Sequence, residues 1–171
     1  MQSFATLTFD SAKILKTTLR AADDDERPLE YATTTASSGS GRQSTSLVGA
    51  QGSRDAVIDW KQKTFSVADS TRPIRELRKK RATFSSSRYW SWFDCEECKV
   101  KYQDNAWTVF SYSGSVLAVF TPNTHRGGRK ALPVLRLASS VCDEEERRFI
   151  ILVLLYSETK RQEGLRQRSG M

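Results

Sequence analysis

Apolar and polar residues alternate with period two through most of this chain, which predicts a succession of short strands. Phe4-Ala-Thr-Leu-Thr-Phe9 is the first such run, and residues 14–19 supply a second. After the acidic, turn-prone Asp23-Asp-Asp-Glu-Arg-Pro28, residues 29–35 place Tyr31, Thr33 and Thr35 on one face. Residues 36–44 are rich in Ser and Gly and read as a flexible loop. Strands at 45–50 and 56–60 follow, split by Gln51-Gly-Ser-Arg54, with another at 64–67. The second half repeats the style at 88–93, 99–102, 107–111 and 116–121, and Gly114 suits a tight hairpin between the last two. A loop at 122–128 precedes a final strand, 130–137, whose Pro133 argues for a sheet edge or a bulge. Many short strands at close spacing imply a barrel or a sandwich.

The pattern changes at residues 139–163, SSVCDEEERRFIILVLLYSETKRQE. Four acids at 143–146 precede eight consecutive apolar or aromatic residues at 149–156, and Lys160 and Arg161 come after. Acids first and bases last complement a helix dipole. Ser140 with Asp143 three residues on fits a capping box. A helix over about residues 142–161 is expected, apolar on all sides in its middle and therefore enclosed. A buried strand at 149–156 competes, because Ile150, Ile151 and Val153 are β-branched, but the cap and charge pattern favours the helix. Eight apolar residues fall far short of the ~20 that span a bilayer, so protein supplies the enclosure. The economical arrangement is a curled sheet or closed barrel wrapped around the helix, which also leaves few exposed edges.

The 171 residues suit a single β-rich domain over 1–163, with 164–171 as a disordered basic tail. The net charge of +7 is concentrated: residues 72–81 hold six bases and one acid. The start, MQSFATLTFD, has neither the basic nor the apolar region of a signal peptide, and no lipidation motif is present. With three cysteines, an odd number, a reduced intracellular setting is expected, cytoplasmic with nuclear or peripheral membrane alternatives.

The order of motifs adds a family expectation. Leu7-Thr-Phe9, Leu29-Glu-Tyr31 with residues 33–35, Ala56-Val-Ile-Asp-Trp60, the basic segment, Tyr89-Trp-Ser-Trp92, Val116-Leu-Ala-Val-Phe120 and Pro133-Val-Leu-Arg-Leu137 precede the apolar segment. This succession resembles an uncharacterised fungal family, mostly from basidiomycetes. More remotely it is similar to the tubby-like and LURP-one-related group that includes the phospholipid scramblases. The resemblance implies a closed β-barrel around a hydrophobic C-terminal helix. It implies no activity for the fungal family; tubby-like domains bind phosphoinositides and scramblases act on phospholipids. No lipid-binding residue of either group maps onto a position here, and the scramblases' membrane-spanning helix and Cys-rich features are missing.

Candidate chemistry centres on the basic run Arg72-Pro-Ile-Arg75-Glu-Leu-Arg78-Lys-Lys-Arg81. Close-set cations attract the phosphates of lipid head groups or nucleic acid, at about 1 kcal/mol for each base near an anionic membrane. Pro73 would start a short helix with Ile74, Leu77 and Arg78 on one side. A nuclear-localisation signal, or a solvated loop or edge strand kept soluble by charge, is the alternative. Lys99, Lys101, Arg126, Arg129 and Lys130 are further bases that folding could add to the patch. Cys95-Glu-Glu-Cys98 could recruit Cys142 and His125 for zinc on paper, but no second closely spaced pair exists, and a hairpin turn with unbonded thiols explains it better. His125 stands in loop-like Asn123-Thr-His-Arg-Gly-Gly128 with no Gly-x-Ser-x-Gly elbow, and Gly39-Ser-Gly41 lacks the rest of a phosphate loop. Trp90 and Trp92 share one strand face, Tyr89 and Phe93 the other, and core packing is their expected role. The reading is a non-enzymatic domain without a cofactor that binds phosphoinositide or another anionic lipid through Arg75, Arg78, Lys79, Lys80 and Arg81. A protein-binding scaffold is the alternative, then a nucleic-acid binder, and a hydrolase or transferase comes last.

Overall fold

Alternation becomes one large sheet. A computed structural model describes residues 2–21, 29–49, 55–92, 95–123, 125–126 and 129–170. The expected turns at 23–28 and 51–54, and Phe93, lie outside the described residues. The chain forms β1 (Phe4–Phe9), β2 (Thr17–Ala21), β3 (Glu30–Ser38), β4 (Gly41–Gly49), β5 (Ala56–Asp59), β6 (Thr64–Val67) and β7 (Ser70–Pro73). Then come α1 (Ile74–Leu77), β8 (Arg78–Lys79), β9 (Arg88–Trp90), β10 (Cys98–Gln103), β11 (Ala106–Phe110) and β12 (Val116–Thr121). A small hairpin of β13 (His125–Arg126) and β14 (Arg129–Lys130) leads to β15 (Val134–Ala138) and the long helix α2 (Glu144–Ser169). Thirteen strands make one antiparallel sheet in the order β7-β6-β5-β4-β3-β2-β1-β15-β12-β11-β10-β9-β8, with β13-β14 separate.

The inward set is the one the alternation marks. Leu7, Leu19, Leu47, Ile58, Phe65, Val67, Val100, Val109, Phe120, Leu135 and Leu137 are buried against α2 or its surroundings. Tyr31 and Thr33 are buried, with Thr35 half-buried beside them. The inward hydroxyls bond to backbone: Thr33 Oγ1 donates to the Ile14 carbonyl at 3.0 Å and Thr35 Oγ1 to that of Leu15 at 2.7 Å. Those two carbonyls belong to a turn where the sequence suggests a strand at 14–19, and β2 begins only at Thr17.

The helix lies where the sequence puts it, but both ends differ. Asp143, not Ser140, is the N-cap, and its side chain accepts from the Glu146 N–H at 2.8 Å. Helix also continues through the expected tail to Ser169, because no proline intervenes and Glu163 ties it to Lys160 at 2.8 Å and to Arg42 of β4 at 2.9 Å. Seven consecutive residues, Phe149 to Leu155, are at most 3% exposed. At 3.6 residues per turn that is almost two turns with no face in water. Each such side chain contributes about 1.5–3 kcal/mol of burial.

Three further expectations are corrected. Residues 36–44 are not a flexible loop but the β3-β4 hairpin, turning through Gly39-Ser40 with Gly41 at a φ of +108° that suits glycine. Their Ser/Gly composition hides strand because ladder bonds are made by backbone, whatever the side chain. Pro133 precedes β15 rather than interrupting it, and β15 is central between β1 and β12. Pro133 still contributes its carbonyl, which accepts from the Phe9 N–H at 3.1 Å.

Candidate functional site

Two ring N–H groups fix α2 against the sheet and define two ends. At the acidic end Trp92 Nε1 donates to Glu145 at 2.7 Å and the Tyr31 hydroxyl to Glu144 at 3.0 Å. Burial pushes the Tyr31 hydroxyl up to about 12. At the other end Trp107 Nε1 donates to the fully buried Glu158 at 2.8 Å. The helix leaves the sheet there, and its exposed turns carry Arg166 and Arg168.

The basic run lies across the α1-β8 junction, and strand pairing divides it. Arg78 stands opposite Trp90 and Lys79 opposite Tyr89. Trp90 is buried, so Arg78 turns toward the helix, with its guanidinium 6.0 Å from the Trp90 ring and 5.9 Å from the Tyr156 ring. Arg81 turns the other way, 4.2 Å over the Tyr89 ring and ion-paired to Glu97. Arg75 and Lys80 are exposed, as is Lys79. The five predicted bases therefore do not converge, and Arg81 already has an acid. Lys99 lies near Arg81 in a shallow groove beside Tyr89 and Tyr112.

What Arg78 joins is a cavity of about 250 Å³ at the helix exit. Arg88, Lys160 and Arg161 line it with Trp90, Trp107 and Tyr156. Their charges are not equivalent. Arg161 is held by Glu158 through two bonds of 2.8 and 2.9 Å, and that hydrogen-bonded carboxylate raises its pKa. Lys160 has Glu163 at 2.8 Å. Burial works to raise the Glu163 carboxyl, but the bonds from Lys160 and Arg42 outweigh it and hold the group below its usual range. Among the described residues, Arg88 donates only to the Ser85 and Ser87 carbonyls, each at 3.0 Å. Among the described residues, no carboxylate pairs with Arg78 or Arg88 within ion-pair distance. Trp90 Nε1, in the ring that Arg78 covers, is buried without an acceptor among the described residues.

Sequence reasoning missed Arg88, Lys160 and Arg161. The signal for Arg88 is its place just before the Tyr89-Trp90 pair; Lys160 and Arg161 are masked by their equally good fit to a helix dipole. Burial pushes the Cys98 thiol up to about 12, so it stays protonated. Cys142 is exposed, the side chain of His125 lies outside what is described, and among the described residues no three His, Cys, Asp or Glu groups come together as a metal site. No helix among the described residues is long and apolar enough to cross a membrane. No family model matches the chain, and no curated protein or solved structure is similar to it at a significant level.

Proposed function

We propose that the chain is a non-enzymatic binding domain for an anionic lipid head group, with a phosphoinositide as the first ligand to test, acting peripherally at a membrane. The observation that carries this reading is the pair Arg78 and Arg88, uncompensated beside a cavity whose other bases already have acids. A guanidinium braced against aromatic rings is preorganised for a phosphate fork. The Trp90 ring itself lines the cavity beside Arg78. Arg75, Lys79 and Lys80 then serve as an outer electrostatic field rather than as direct ligands.

The proposal includes a tubby-like architecture in which the sheet closes around α2. Three features support closure. The middle of α2 has no water-facing side. The two edge strands, β7 and β8, are joined by the four residues of α1 alone. Phe65 of β6 and Trp90 of β9 stack at 5.6 Å, although ten strand spacings would hold them roughly 48 Å apart in a flat sheet.

Co-sedimentation with phosphatidylcholine vesicles carrying phosphatidylserine and a phosphoinositide tests the ligand class. Binding should fall with salt. At about 1 kcal/mol for each base, Arg78→Gln with Arg88→Gln should weaken it by on the order of thirtyfold. Absence of binding at low salt sinks the reading. Loss on neutralising Lys79 and Lys80 alone, with the double arginine variant unaffected, moves the site to the outer run. Capture of a stoichiometric protein without lipid favours the scaffold alternative.

A further inference from the structure

The hairpin joining β8 to β9 holds a side chain that the head-group reading does not use. Phe84 is 100% exposed. Its loop is not loose: Ser85 N–H donates to the Ala82 carbonyl at 3.2 Å, Ser87 N–H to Ser85 Oγ at 3.1 Å, and Arg88 clamps the base through the Ser85 and Ser87 carbonyls. A turn secured from below thus presents one large apolar ring to water. Bases stand on both sides of it, Lys80 and Arg81 before and Arg88 after. Ser86, two residues on, lines the cavity at the helix exit, so the loop that carries the ring borders that cavity.

We infer that Phe84 is a membrane wedge, inserting at the boundary of head groups and acyl chains of an anionic bilayer while the neighbouring cavity holds a phosphorylated head group. The inference rests on the anionic-lipid reading above and adds the bilayer itself as the partner. A protein partner would need an apolar core of several residues around such an anchor. Here the residues flanking Phe84 in the loop, Ala82, Thr83, Ser85, Ser86 and Ser87, are all small. A single ring flanked by cations instead matches the interface of an anionic membrane, where an apolar contact and basic charge act together. The division of labour has a consequence. Cations supply attraction that salt removes, and the ring supplies a contribution that salt leaves in place.

Three proteins and two probes decide it. With the mixed anionic vesicles, Phe84→Ala should bind roughly tenfold more weakly than the unmodified chain, as expected for losing much of one buried aromatic ring. Its affinity for a soluble inositol phosphate should be unchanged. Phe84→Trp should restore vesicle binding, and the fluorescence it adds should be quenched by lipids brominated in the acyl chain. Equal vesicle binding by Phe84→Ala, or a Phe84→Trp signal untouched by brominated lipid, overturns the wedge and leaves the head-group site standing. Binding of the soluble inositol phosphate without any vesicle binding does the same. Failure of the unmodified chain to bind either probe overturns both proposals.

Discussion

Glu158 and Glu163 are five residues apart on α2 and do opposite kinds of work. Glu158 has no exposed surface and four donors within 2.9 Å, from Trp107, Arg161 twice and Gln162. It is a saturated interior acceptor, and truncating it would strand donors that burial makes costly. Glu163 is about a third exposed and bridges the emerging helix to Arg42 of β4. Its carboxyl is held below the ordinary glutamate value of 4.5 by Lys160 and Arg42, against the effect of burial. A folded-state pKa below the unfolded one means stability that is full above the unfolded value and lost as pH falls through the folded one. Glu163→Gln should therefore cost about 0.2–1 kcal/mol at neutral pH, the range of partly exposed ion pairs. The difference from the unmodified chain should shrink to nothing as pH drops below 4.5 and through the lowered value. Urea titrations across that range read it; a difference that persists in acid contradicts the assignment of the bridge to charge.

At the scale of elements, α2 was legible because its signal is redundant. Acids, an apolar block and bases succeed one another in the order a helix dipole favours, and the block is too short for a bilayer. Its cap was misplaced by three residues because Ser140 and Asp143 are both good caps and only backbone geometry separates them. The arms of the β3-β4 hairpin are legible at 29–35 and 45–50, but its end at 36–44 is not, for the opposite reason. Its Ser and Gly residues carry no periodic hydrophobic signal, and its strand character comes from backbone pairing across the hairpin. The basic run was legible as charge but not as a site, since alternation across β8 sends Arg78 and Lys79 to different faces. The helix also supplies the sharpest test of the core. Leu154 is 2% exposed, and Leu154→Asp puts an unpaired carboxylate where no partner awaits it. Together with the lost leucine that exceeds what a domain holding roughly 5–15 kcal/mol can absorb, so the variant should not fold. Leu154→Ala should stay folded at a cost of about 2–5 kcal/mol. Native near-ultraviolet circular dichroism from Leu154→Asp would mean that this segment is not the core.

For the whole molecule, the aromatic cluster at the helix is what joins the far ends of the sheet order. Phe65 stacks on Trp90 with 5° between planes, and both meet Tyr156 of α2 edge-on at 5.7 and 5.8 Å. Arg78 lies 6.0 Å from the Trp90 ring on the cavity side. The cluster thus packs β6, β9 and α2 together and lies beside Arg78. If the proposed closure holds in solution, Phe65 and Trp90 must be energetically coupled despite the nine strands between β6 and β9. A double-mutant cycle with Phe65→Leu and Trp90→Phe keeps each core position apolar and removes the stacked pair. The interaction energy should be about 0.5–1.5 kcal/mol beyond additivity. A value indistinguishable from zero would separate the two sheet ends and remove the main support for closure. The cycle also bears on the ligand site. Trp90→Phe weakens the ring under Arg78, so vesicle affinity should drop in this variant. Phe65→Leu, which touches the same core from the side away from the cavity lining, should lose stability while keeping that affinity.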